Sequence, residues 1–138
     1  MALFARKRAR AVQSLMLKLV NNNCSDLEAL AEGPRLEGRV RLTIVVLVIP
    51  VVKGKLVFEQ MFAAVTKEFS TTGVSLVLNY PRSLDEVVLG FRWERSMQFV
   101  RGKAKHLSPM GAGFFQLGMQ LTDVIHAGDH PGLEKVSF

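Results

Sequence analysis

A chain of 138 residues, 49% of them hydrophobic, has the size of one domain and enough apolar side chains to bury a core. Its single cysteine, Cys24, excludes an internal disulfide and points to a reducing compartment, the cytoplasm. The net charge of +6 suits an anionic partner (a nucleotide, a nucleic acid or an acidic lipid surface) without choosing among them.

Residues 1–33 read as a helical extension, rich in Ala, Leu, Met, Arg and Lys, with Val12, Leu15 and Leu19 at helical spacing. The basic start is followed only by the short apolar run Leu15–Val20, broken by Lys18, which does not make a signal peptide. Asn21–Asn23 is expected to interrupt the helix. A second short helix then begins at Ser25, with Glu28 completing a capping box, and ends at Gly33–Pro34. Cys24 is expected to be an inert, packed thiol.

From Arg41 the texture becomes that of β-strands. Leu42–Val52 is the longest apolar stretch, well short of the roughly 20 residues a membrane helix needs, and rich in β-branched residues. Strands are expected at 41–51, 55–67, 74–78, 86–93, 97–105 and 114–121, with turns at Lys53–Gly54, Ser70–Gly73 and Pro109–Gly113 and a loop over 81–85. The first strand is apolar on both faces, so its outer face should be covered, and the N-terminal helices are the expected cover. The fifth alternates, with Val100, Gly102 and Ala104 on one side and Arg101, Lys103 and Lys105 on the other. The whole describes a mainly β protein. It has a six-stranded antiparallel β-barrel over 34–125, helices packed outside it, and a loosely packed tail over 126–138.

Two short patterns carry the functional reading. One is Arg35–Leu36–Glu37–Gly38–Arg39, just before the first strand. The other is Glu68–Phe69–Ser70–Thr71–Thr72–Gly73, after the second. Taken singly, each has a plain reading, as a solvated basic linker and as an ordinary turn. Their placement brings them together. The Lys53–Gly54 turn lies nearly midway between Arg39 and Glu68, so a hairpin folded there sets both patterns at one end of the barrel. The chemistry is coherent: Arg35 and Arg39 offer bidentate donors to phosphate and to the O6/N7 edge of guanine. The Glu68 carboxylate can accept from guanine N1 and N2, Ser70 adds a hydroxyl, and Gly73 permits the positive φ that a tight turn can require.

With these motifs the sequence resembles the PilZ domain, the bacterial cyclic di-GMP receptor. The marks of that family are an Arg-x-x-x-Arg stretch before the first strand and a later Asp/Asn-x-Ser-x-x-Gly turn. Arg35 and Arg39 match the first, and Ser70 and Gly73 the second. The run Gly73–Val74–Ser75–Leu76, then Gly102, then Leu117–Gly118–Met119–Gln120–Leu121 also looks like PilZ, so that the resemblance covers about Arg35 to Val124. It implies a cyclic di-GMP-binding site in which Arg35 and Arg39 grip phosphates and guanine edges while Glu68 and Ser70 address a base. The chain departs from the pattern at Glu68, where the family has Asp or Asn and the side chain is one methylene shorter.

Other signals point elsewhere and have simpler readings. His126 and His130 with Asp129 would share a face only on a helix, which Gly128 and Pro131 oppose, so no metal is expected. No Ser-His-Asp set, phosphate-cradling glycine loop or catalytic acid pair can be placed, so no enzymatic activity and no cofactor are expected. Arg92, Arg101, Lys103 and Lys105 with Phe91 and Trp93 could form a nucleic-acid face, though a solvated strand face is the simpler reading. The basic N-terminus could similarly touch acidic lipid or be an ordinary helix end. Two functions follow: a cyclic di-GMP sensor that alters its contacts with an effector of motility or polysaccharide synthesis, or a protein-interaction domain of the same fold that does not bind the dinucleotide.

Overall fold

A computed structural model describes residues 2–23 and 40–137, with helix side chains over 7–19. The second helix expected from Ser25, the Gly33–Pro34 stop, Cys24 and both arginines of the Arg-x-x-x-Arg stretch lie outside the described residues.

The fold is a mainly β, antiparallel sheet of eight strands with one N-terminal helix, α1 (Ala2–Asn23), and broadly what the PilZ resemblance implies. The strands are β1 (Val40–Arg41), β2 (Val45–Val52), β3 (Lys55–Leu56), β4 (Phe62–Phe69), β5 (Gly73–Leu78), β6 (Glu86–Trp93), β7 (Ser96–Gly111) and β8 (Phe114–Ile125). Following the ladders, β4 pairs with β5, β5 with β8, β8 with β7, β7 with β6, β6 with β2, and β2 again with β4. Six strands therefore form a closed ring and leave only the short β1 and β3 as additions at its rim.

Alternation decides what the ring encloses. Val46 and Val48 of β2, Val74 and Leu76 of β5, Val87, Leu89 and Phe91 of β6, and Leu117, Met119 and Leu121 of β8 share one buried apolar cluster. Phe69 meets Phe91 edge to face there, with ring centroids 5.9 Å apart. The helix joins the same cluster through Val12, Leu15, Met16 and Leu19, at the i, i+3, i+4, i+7 spacing of a single helical stripe. Its Lys18 ammonium sits 5.3 Å over the ring of Trp93 at the end of β6. Thus α1 packs outside the strands and seals the ring's core. Asn21–Asn23 form its last turn and do not interrupt it.

The outer face of β2 is covered, but by different residues from those expected. Leu47, Ile49 and Val51 cluster with Val88, Phe99, Ile125, Leu133 and Val136. The cover is the C-terminal segment, which folds as two 3-10 turns, Ala127–Asp129 and Leu133–Lys135. Leu133 is fully buried, so this tail is packed and not loose. The same contact explains a second departure. The expected strand over 55–67 breaks into β3, a 3-10 turn at Phe58–Gln60, and β4. The break lets Phe58 leave the strand line and pack beside Gly132, where an added Cβ would come within 3.2 Å of its ring.

The Lys53–Gly54 turn forms as expected, with φ of 53° and 77° at its two residues, the conformation of a two-residue hairpin. The last two strands are longer than expected. β8 runs to Ile125, and β7 continues through Pro109 to Gly111, past the end of β6 at Glu86↔Lys103. Proline is tolerated there because that edge of β7 has no ladder to supply. Phe91 points into the core and Arg101 pairs with Glu86 at 3.2 Å, so these two of the six residues considered as a nucleic-acid face are engaged within the fold.

Candidate functional site

The site begins with a two-residue ladder. Val40 stands opposite Phe69 and Arg41 opposite Glu68. The segment leading from β1 to β2 is clipped to β4 by Thr66, which is buried. Its Oγ1 donates to the Leu42 carbonyl at 2.6 Å and accepts from the Ile44 N–H at 3.0 Å. The Leu42 N–H donates to the Lys67 carbonyl at 3.1 Å. These bonds set the chain just after Arg39 against the end of β4. Arg39 is joined directly to Val40, and Ser70 directly follows Phe69. The register thus sets Val40 and Arg41 beside the Ser70 turn, while Arg35 and Arg39 themselves lie outside the described residues.

The turn between β4 and β5 is organised by Ser70. Its Oγ accepts from the N–H of Gly73 at 3.0 Å and of Thr72 at 3.3 Å, and the Ser70 N–H donates to the Gly73 carbonyl at 2.9 Å. The hydroxyl also donates to the Gly73 carbonyl at 3.4 Å, so its acceptor positions and its proton are all engaged within the turn. Gly73 is required for a different reason from the one expected. Its φ is not in the positive region, which among the described glycines is occupied by Gly54, Gly111, Gly113 and Gly132. A Cβ on Gly73 would instead stand 2.7 Å from the Met119 carbonyl oxygen on β8, closer than real side chains approach backbone. The turn is pressed onto β8, and the Thr72 carbonyl accepts from the Leu121 N–H at 2.9 Å.

Glu68 is placed by a bulge. Thr66 pairs with Leu76 and Glu68 with Ser75, leaving Lys67 as the extra residue. The Ser75 hydroxyl accepts the Glu68 N–H at 3.1 Å. The bulge turns Glu68 to the outside of the ring, half-buried, beside the Ser70 turn.

From Glu68 a row of paired positions crosses four strands: Glu68 to Ser75, Ser75 to Gly118, Gly118 to His106. The two central members are small, so the outer face is concave along this row. The result is a groove of about 570 Å³ that Glu68, Ser70 and Gly73 line on one side and Lys105, His106 and Gln116 on the other. Lys67 donates to Gln116 Oε1 at 3.0 Å and holds that amide in place. From sequence Lys105 is considered only as part of a nucleic-acid face, and His106, Gln116 and Gln120 are not site residues. The available signal was a glycine, Gly118, in the interior of a strand, which marks a close approach or an open floor.

No protein-family model and no curated protein matches the chain. Among solved structures, the ring has the fold seen in the Bacillus subtilis Inhibitor of motility (MotI/DgrA). The TM-score is 0.50 and the identity 14%, over 70% of this chain and 46% of that one. This chain thus spans under half the length of that structure, and at this identity the likeness is one of fold. Among the described residues, no helix is long and apolar enough to cross a membrane.

Proposed function

We propose that the chain is a cyclic di-GMP sensor that binds the dinucleotide in the groove between the Ser70 turn and the β7–β8 hairpin and catalyses nothing. In this reading Arg35 and Arg39 grip phosphates and guanine edges, Glu68 accepts from guanine N1 and N2, and the Ser70 hydroxyl trades its long 3.4 Å bond to the Gly73 carbonyl for one to a base while its oxygen keeps clamping the turn. Gly73 lets that turn sit close to β8. Binding then alters contacts with an effector protein, and the name of the structural neighbour, an inhibitor of motility, favours motility as the output.

The observation that carries this reading is the register Val40↔Phe69 and Arg41↔Glu68, which delivers the residue after Arg39 to the mouth of a concave groove. The test is calorimetric titration of the chain with cyclic di-GMP, with GTP and cyclic di-AMP as controls. Heat at micromolar protein with cyclic di-GMP, and tighter binding than either control, is the expected result. Absence of heat overturns it.

A second reading, a protein-interaction domain of the same fold without the ligand, has one observation in its favour. Val45, Val65 and Val77 form a row across β2, β4 and β5 on the outer face, and the first two are 47% and 37% exposed. The same titration decides between the two.

A further inference from the structure

The groove has a second wall that no motif announces. In the β7–β8 ladder Ala104 pairs with Met119 and His106 with Gly118, so Lys105 is an extra residue in β7. In a regular strand Lys105 and His106 would point to opposite faces. The bulge turns both outward, and both exposed side chains line the groove. They face Glu68 and the Ser70 turn across the Ser75–Gly118 floor. Three strand spacings separate the two walls, about 14 Å along the sheet, with no large side chain between them on that row. A second bulge, at Lys67, lies at the other end of the same row.

We infer that Lys105 and His106 are ligand-binding residues that supply the donors for a phosphate at the wall of the groove opposite Glu68 and the Ser70 turn. This inference rests on the cyclic di-GMP reading of the groove. The chemistry requires two sides. A cyclic dinucleotide carries two phosphates on opposite edges of one ring, so donors are needed on both walls of the groove. Lys105 offers an ammonium and His106 an imidazole N–H, both able to make charge-assisted bonds to phosphate oxygens. Both side chains lie in solvent in the described structure, so neither contributes to the core, and their replacement acts on the ligand alone.

The test is calorimetric titration of the whole chain with cyclic di-GMP for the wild type, Lys105→Ala, Lys105→Arg, His106→Ala and His106→Gln, with thermal unfolding of each. The alanine variants are expected to raise Kd by at least about tenfold. The Arg and Gln variants, which keep a donor, are expected to stay within about threefold of wild type, and all five proteins to unfold at the same temperature. Wild-type binding with undiminished affinity in both alanine variants overturns the second wall and leaves the sensor reading intact. A wild type that does not bind overturns both.

Discussion

Val40 faces Phe69 across the two-residue β1–β4 ladder, and this one pairing sets the residue that follows Arg39 in sequence against the residue that precedes Ser70. Neither motif is informative alone. The serine turn borders a groove with a carboxylate, a hydroxyl and small floor residues.

Arg35→Ala and Arg39→Ala are each expected to weaken cyclic di-GMP binding by about 1.5–3 kcal/mol, the usual worth of a charge-assisted hydrogen bond, and to leave the β circular-dichroism signal unchanged. Titration and circular dichroism on the same samples check both halves. Loss of the β signal would assign the arginines to the fold.

Glu68 is the position where the chain departs from the PilZ pattern, and its substitutions are graded. Glu68→Asp is expected to hold or raise affinity, because the shorter side chain matches the family's acceptor. Glu68→Ala is expected to lower it, since guanine donors then lose a partner in a partly desolvated groove. Two silent variants, within about 0.5 kcal/mol as at an ordinary surface site, would remove Glu68 from the site.

Two glycines on the same groove should fail in opposite ways. Gly73→Ala forces a Cβ to 2.7 Å from the Met119 carbonyl oxygen, so the turn must lift from β8 and the thermal midpoint should fall. Gly118→Ala meets only the His106 carbonyl oxygen at 3.7 Å, an ordinary contact. That variant should unfold no earlier than wild type yet bind cyclic di-GMP more weakly, because its methyl group rises from the floor. Thermal scans and titrations of the pair separate a framework glycine from a floor glycine.

Thr66→Val keeps the shape of a buried residue and removes the hydroxyl that serves both Leu42 and Ile44. A loss of about 1–3 kcal/mol is expected from the unsatisfied groups, measured by urea unfolding. Leu133→Ala, by contrast, opens a cavity in the outer cluster and should cost about 2–5 kcal/mol. A cost below about 1 kcal/mol, closer to that of a surface change, would mean the tail adds little to the fold.

Much of the ring was legible because its signals are local. Lys53–Gly54 and Ser70–Gly73 are turn chemistry readable from the residues themselves, and the strands between them carry β-branched alternation. What was not legible depends on distant partners. Leu133 and Val136 sit among Gly, Pro and charged residues, so only the outer face of β2, whose need for a cover was evident, gives them a core to join. Phe58 lies in a strand-like run and leaves it to meet Gly132. Lys105 and His106 belong to a strand whose alternation was read correctly up to Ala104, and a bulge is invisible to a period-two pattern because it is defined by the opposite strand. The candidate site was therefore read as one wall and a turn, while the far wall needed the ladder.

The covering of Ile49 by Leu133 also has a kinetic side. These partners are separated by about eighty residues of chain, and such distant pairings are reached late because loop closure must precede them. Until the C-terminal turns arrive, β2 presents an apolar outer face to any neighbouring chain, as a transiently exposed strand surface does during folding. A protein synthesised or refolded with that segment delayed, cleaved or displaced by a fusion partner would carry a sticky strand on an otherwise complete ring, and its yield would fall with concentration while the groove beside the Ser70 turn stayed formed.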